Sequence, residues 1–200
     1  YETAGATATI EGGSVSLTLQ SADDDGGNLV NRGAAIRSTE GSIDIETSGD
    51  VINEALVVEQ ISDIQTDGLS RLFGQSDYAR RSDFVGSSIE SAADINITAD
   101  GTVQNIASNI VGGGDVVVDG REGVEQRNLA EAYDTASGIG YREQAVENQS
   151  SSISGANVTL RSSEGDIVSI GSDISSDGET VLEAIEGDIQ LLSDVQITES

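Results

Sequence analysis

"NLVNRGAAIRSTEGSIDIETSGDVINEA", residues 28–55, decides the fold, because it says nearly the same thing twice. Leu29-Val30-Asn31 returns as Val51-Ile52-Asn53 after 22 positions. Self-similarity at a fixed short period is the mark of stacked repeats. Laid out in coils beginning at residues 28, 50, 102, 124, 166 and 188, three spacings are 22 without a gap. The other two, 52 and 42, equal 22 plus insertions of 30 and 20. The second coil position reads Leu29, Val51, Val103, Ile167 and Ile189, with Glu125 the exception. The fourth reads Asn31, Asn53 and Asn105, then lapses to Ser169 and Leu191. The ninth reads Ile36, Val58, Ile110 and Ile174.

Each coil then carries a short alternating stretch: Ile43 and Ile45, Ile95 and Ile97, Val116 and Val118, Val158 and Leu160. Period-two alternation is the signature of a strand with one face buried. Gly-Asp, Asp-Gly and Glu-Gly pairs bracket these stretches, as turns require. "SVSLTL" (14–19) reads as the same strand of a preceding coil. A unit of 22 residues with two or three short strands has no room for a helix and cannot bury its apolar face alone. Stacking such units pairs each strand with its equivalent one coil on and lines the inward aliphatics into a column. The expected fold is therefore all-β, a parallel β-helix with about 22 residues per coil and two extra-helical insertions. Asn31, Asn53 and Asn105 are expected to stack as a ladder, with exposed turn asparagines as the plainer alternative. Any leader before Tyr1 is expected to have been removed or to lie outside these residues, and no polar cap is evident at either terminus. The 200 residues are thus expected to be one segment of a longer shaft.

Charge narrows the function. There are 36 acidic residues against 9 basic ones, all Arg, for a net charge of −27. Such a surface repels nucleic acid and anionic membrane, both of which are held by cationic contacts. It is expected to keep the chain soluble and apart from its copies, with a salty or calcium-rich exterior as the sharper alternative. Cysteine and histidine are absent, so neither disulfides nor thiolate or imidazole metal sites exist. Lys, Trp, Met and Pro are absent as well. No apolar run approaches the length that spans a bilayer.

The stretch "SSIESAADINITADGTVQNIASNIVGGGDVVVDG" (87–120) resembles the haemagglutinin-type repeats of two-partner-secreted exoproteins. That family includes filamentous haemagglutinin-like adhesins and the effectors of contact-dependent growth inhibition. Val103, Asn105, Ser108, Ile110, Gly113, Gly114, Asp115, Val116 and Val118 match its phrase in order. Residues 31–47 and 151–167 match more loosely, and Ala92-Ala93 stands where Gly-Gly is common. The resemblance implies a right-handed parallel β-helix, export through an outer-membrane partner, display at the cell surface or release, and a receptor on a host or neighbouring cell. It implies a shaft without catalysis and without a cofactor.

The two insertions, about 59–87 and 125–150, carry the residues that mark recognition. They hold Phe73, Tyr78, Phe84, Tyr133 and Tyr141, five of the six aromatics, and Arg71, Arg80, Arg81, Arg127 and Arg142, five of the nine arginines. Aromatics and Arg are enriched at binding hot spots. The alternative is that they pack on the shaft and neutralise its carboxylates. Both insertions leave near the ninth coil position with one uninterrupted coil between them, so they emerge on one flank about 10 Å apart. The second reads as a hairpin turning near Ser137-Gly138. In the first, "LSRLFGQ" (69–75) and "YARRSDF" (78–84) read as short helix.

Two rival functions have weaker signals in the sequence. A polysaccharide-active β-helix enzyme needs one carboxylate with a raised pKa beside an ionised one. Asp23-Asp24-Asp25 offers only a count of acids, and no His, Lys or Trp is present to serve as base, charge stabiliser or sugar platform. A calcium-dependent β-roll is suggested by "GGGDVVVDG" (112–120), but that phrase occurs once and has no stacked copy to complete a ligand shell.

Overall fold

The computed structural model describes residues 7–21, 26–64, 77–137 and 141–194. For 60–64, 77–81, 131–137, 141–145 and 147 it describes backbone alone. Three six-stranded parallel sheets wrap one apolar column, and the described residues contain no helix. The chain is a parallel β-helix. The first sheet stacks β1 (Thr9–Gly12), β4 (Ala35–Ser38), β9 (Ser88–Ser91), β12 (Asn109–Gly112), β17 (Ser152–Gly155) and β20 (Asp173–Ser176). The second stacks β2 (Val15–Leu19), β5 (Ile43–Thr47), β10 (Ile95–Ala99), β13 (Val116–Gly120), β18 (Val158–Ser162) and β21 (Thr180–Ala184). The third stacks β3 (Leu29–Arg32), β6 (Val51–Glu54), β11 (Thr102–Ile106), β14 (Gly123–Arg127), β19 (Ile167–Ile170) and β22 (Ile189–Leu192).

Register turns the sequence repeat into columns. In the first sheet Ile10, Ile36, Ile89, Ile110, Ile153 and Ile174 lie directly over one another. In the second, Leu17, Ile45, Ile97, Val118, Leu160 and Leu182 do the same. Isoleucines 36, 89, 110 and 153 are almost wholly buried, and each such side chain contributes about 1.5–3 kcal/mol of transfer free energy. β-Branched residues suit this site because their stiff χ1 costs little on a pleated surface.

Two positions differ from the sequence reading. Val58 does not fill the ninth coil position of its coil; Ile89 does, paired with Ile36. The coil placed at 124 begins one residue earlier, because Val103 pairs with Val124 and Asn105 with Gln126. The link from the first sheet to the second is one residue shorter in this lap than in the first, six positions from Ile110 to Val116 against seven from Ile36 to Ile43, so this lap takes 21 residues. Val124 therefore replaces Glu125 in the inward column, and Gln126 continues the amide row.

That row runs through the interior. Asn31 Nδ2 donates to Asn53 Oδ1 at 2.7 Å, and Asn53 Nδ2 donates to Asn105 Oδ1 at 2.8 Å. Each amide also reaches across to the first sheet, donating to the carbonyls of Ser88, Asn109 and Ser152. Gln126 Nε2 donates to the Asp173 carbonyl at 2.8 Å, but its buried Oε1 has no partner. The longer side chain carries that oxygen out of line with the asparagines.

The turns use acidic residues in the same repetitive way. Asp50 Oδ1 accepts from the backbone N–H of Thr102, one coil on. Asp94 Oδ1 accepts from Asp115 N–H, and Asn157 Oδ1 from Glu179 N–H. Gly101 and Gly114 sit directly over Asp50 and Asp94, and a Cβ at either would fall on the Oδ1 below. Part of the chain's acidity thus caps backbone donors. On the outside, Arg32, Arg37 and Arg161 face Glu54, Glu90 and Glu183 on the next coil. No helix among the described residues is long and apolar enough to cross a membrane.

Candidate functional site

The insertions leave the helix at one corner, after the third sheet. Where no insertion occurs, the chain turns this corner through a left-handed residue: Gly33 (φ 57°), Ala107 (φ 49°) and Gly171 (φ 54°). Their equivalents in the two interrupted coils are Ala55 and Asn128, neither of which has positive φ. The corner that would have folded inward opens outward instead. The exit point is therefore the sixth coil position, not the ninth.

From Ala55 the chain runs into β7 (Leu56–Ile64) and returns by β8 (Asp77–Val85). From Asn128 it runs into β15 (Leu129–Ser137) and returns by β16 (Tyr141–Gln149). Each pair is an antiparallel hairpin of nine residue pairs. "YARRSDF" (78–84) is therefore strand, not helix; alternation of Tyr78, Arg80, Ser82 and Phe84 satisfies a two-residue period better than a helical one. "LSRLFGQ", with Arg71 and Phe73, lies outside the described residues, as does Asp23-Asp24-Asp25.

The hairpins are one unit. β8 pairs antiparallel with β15, placing Tyr78 opposite Ala136, Ala79 opposite Thr135 and Arg80 opposite Asp134. The result is a four-stranded antiparallel sheet in the order β7-β8-β15-β16. Geometry explains the pairing. The exits are two coils apart, about 10 Å at the usual strand spacing, and a hairpin is itself two strands wide. Hairpins from alternate coils therefore tile edge to edge, and a single uninterrupted coil between them is the spacer this requires. The corner of that coil is sealed: Ile106, Ala107 and Ser108 are 3%, 0% and 0% exposed.

Sequence had marked the insertion residues individually; the register sorts them into rows. Tyr78, Arg80, Phe84 and Arg142 occupy one set of alternate positions, and Arg81, Tyr133 and Tyr141 the other. Arg142 stands opposite Ala136, Tyr133 opposite Ala145, and Tyr141 opposite Ser137. Phe84 is half-buried opposite Val57 near the base. Arg127 does not belong to an insertion. It ends β14 on the shaft, with Nε 3.2 Å from Glu125 Oε1.

Serines at the hairpin returns were not singled out by sequence. Ser87 and Ser151 re-enter the coil in line with Ser108, all three 1% exposed or less. Ser87 N–H donates to Ser108 Oγ, and Ser87 Oγ donates to the Glu54 carbonyl across the gap left by the hairpin. "GSS" at 86–88 and "SSS" at 150–152 were the available signal, hidden among many other serines.

Among the described residues no three His, Cys, Asp or Glu side chains converge as a metal site. Asp115, in the glycine-rich phrase, accepts from Asn157 Nδ2 at 2.8 Å. The Arg37 guanidinium, donating to Glu90, holds that carboxyl below the usual carboxylate range, against the opposing effect of partial burial. Comparison with family models, characterised proteins and solved structures returns no match for this chain.

Proposed function

We propose that this chain is a non-catalytic stretch of the β-helical shaft of a secreted or surface-displayed bacterial exoprotein. The haemagglutinin-type repeats it resembles belong to proteins exported through an outer-membrane partner for adhesion or contact-dependent toxin delivery. In this reading the coils are spacer and the four-stranded sheet is the recognition surface. The observation that carries it is the pairing of β8 with β15. Two insertions separated by a full coil are built into one sheet, and that sheet carries Tyr, Phe and Arg on a shaft otherwise aliphatic inside and acidic outside. Hot-spot residue types concentrated on a rigid platform are what a binding surface needs.

The corner suggests how to test this. Removing 56–86 joins Ala55 to Ser87, and removing 129–150 joins Asn128 to Ser151, matching the Ala107-Ser108 junction of the uninterrupted coil. Ala55→Gly and Asn128→Gly supply the left-handed corner. The trimmed shaft is expected to keep its β-rich circular dichroism and to lose binding to whole target cells. Undiminished cell binding by a folded trimmed shaft would refute the reading, and failure of the trimmed shaft to fold would show the sheet to be structural.

A further inference from the structure

We infer that the outer edge of β7 receives an extended, cationic strand of another protein. This rests on the reading of the four-stranded sheet as the recognition surface and names its ligand class. Among the described residues β7 pairs only with β8, so one row of its backbone N–H and C=O groups faces away from the sheet. Such a row is a template for another strand. Edges are ordinarily blunted by shortness, bulges, cover, Pro or charged side chains, Lys above all. β7 is nine residues long, its register with β8 is unbroken, and it contains neither Lys nor Pro; its only charges, Glu59 and Asp63, are both acidic.

The opposite edge, β16, is less open. At its base Asn148 Nδ2 donates to Asp194 Oδ2 at 3.1 Å, and Asn128 Nδ2 reaches the same carboxylate at 2.7 Å. β16 also mixes Arg142 with Glu143 and Glu147, whereas the charges on β7, Glu59 and Asp63, are both negative. A second copy of β7 would set these acids against each other on chains of net charge −27, so the occupant is not this strand itself.

The sequence of β7 prescribes the partner's pattern. Val57, Glu59, Ile61 and Asp63 share one set of alternate positions. An antiparallel strand opposite them reads, from its N-terminus, basic–x–aliphatic–x–basic–x–aliphatic. Opposite-charge and aliphatic cross-strand pairs are the units that stabilise such an addition, and antiparallel pairing continues the order of the existing sheet.

The probe is the capped heptapeptide KTVTKTV, with KKTTTVV as a composition control. Titrated against the whole chain, KTVTKTV is expected to slow amide exchange within 56–64 and to bind more weakly as salt rises. Reversing both charges, Glu59→Lys with Asp63→Lys, is expected to weaken KTVTKTV about tenfold and to confer binding of ETVTETV. That gain separates lost complementarity from a damaged fold. Equal binding of the scrambled peptide, protection elsewhere, or no reversal of preference would overturn the inference. If the reversed variant still binds cells while the trimmed shaft does not, the sheet remains the recognition surface and this edge is not its means.

Discussion

Replacing Asn53 by Leu tests whether the interior amide row is a cooperative unit. Asn53 is fully buried at the centre of the row. It accepts from Asn31 Nδ2, donates to Asn105 Oδ1, and donates to the Asn109 carbonyl. Leucine has almost the same shape and removes all three bonds. A hydrogen on Asn31, a lone pair on Asn105 and one on the Asn109 carbonyl are then left in an apolar interior. At about 1–3 kcal/mol for each of these three groups, the gross cost is roughly 3–9 kcal/mol. Burying a larger apolar side chain returns about 1–2 kcal/mol. The expected net loss is about 1–8 kcal/mol, read as a fall in the urea midpoint at unchanged slope. Changing Asn31, Asn53 and Asn105 together to Leu removes both amide–amide bonds of the row at once and leaves only the Ser88, Asn109 and Ser152 carbonyls without their donors. The triple variant is therefore expected to cost well under three times the single one. Additive losses would refute the reasoning, since they would mean that each amide acts only through its own carbonyl across the core.

Four further outcomes are expected. Gln126→Asn brings an oxygen into line with Asn105 Nδ2 and removes the unpartnered acceptor, so urea denaturation is expected to show a gain of about 0.5–1.5 kcal/mol, against about 0.8 kcal/mol for the lost methylene; a loss would mean the vacated methylene site does not close. Gly114→Ala drives a Cβ onto Asp94 Oδ1 and breaks its bond to Asp115 N–H, and is expected to cost about 1–3 kcal/mol, whereas the same change at exposed Gly86, whose Cβ would meet only one atom at ordinary contact distance, is expected to be nearly neutral. Carbon-13 titration of Glu90 is expected to give a midpoint below the ordinary carboxylate range, with Arg37→Gln restoring it. Because the folded-state pKa is depressed, the Arg37–Glu90 pair stabilises above the unfolded pKa and that contribution is lost as pH falls through the folded one. Thr135→Pro removes a backbone donor in the middle of β15 and is expected to release β8 from β15, seen as faster amide exchange in 77–85 with the shaft unaffected.

Most of the shaft was legible because its inward side chains obey a short period. Leu29 and Val51 are 22 apart and sit one above the other. The errors came where the period itself changes. The link from Ile110 to Val116 is one residue shorter than that from Ile36 to Ile43, which shortens one lap, and a fixed 22-residue ruler then reads Glu125 where Val124 lies. The first insertion begins with Leu56-Val57-Val58, which imitates the aliphatic spacing of a coil and puts Val58 where the sequence period expects the column residue that is Ile89. The second hairpin was visible from its arms, but the pairing of β8 with β15 was not. No residue pattern in either strand names the other; the choice follows from the distance between coils, which exists only once the helix is stacked.

That distance also explains why specificity belongs at the interruptions. Within the coils every strand has a neighbour on both sides except at the two ends of the stack, the inward face is filled, and the Arg side chains of β3, β4 and β18 face Glu on the next lap. Such a surface has few unmet groups to offer a partner. A hairpin leaving at the corner creates two new edges, and two hairpins two laps apart consume one edge each in pairing with one another. What remains is a platform four strands wide, anchored at both exits and held to the shaft by Ser87 and Ser108 at 3.1 Å. Moving one exit by a single coil would shift it by about 5 Å, one strand width, and the hairpins would have to overlap or part. The alternation of open and closed corners is thus the property to look for when this sheet is extended, transplanted or trimmed.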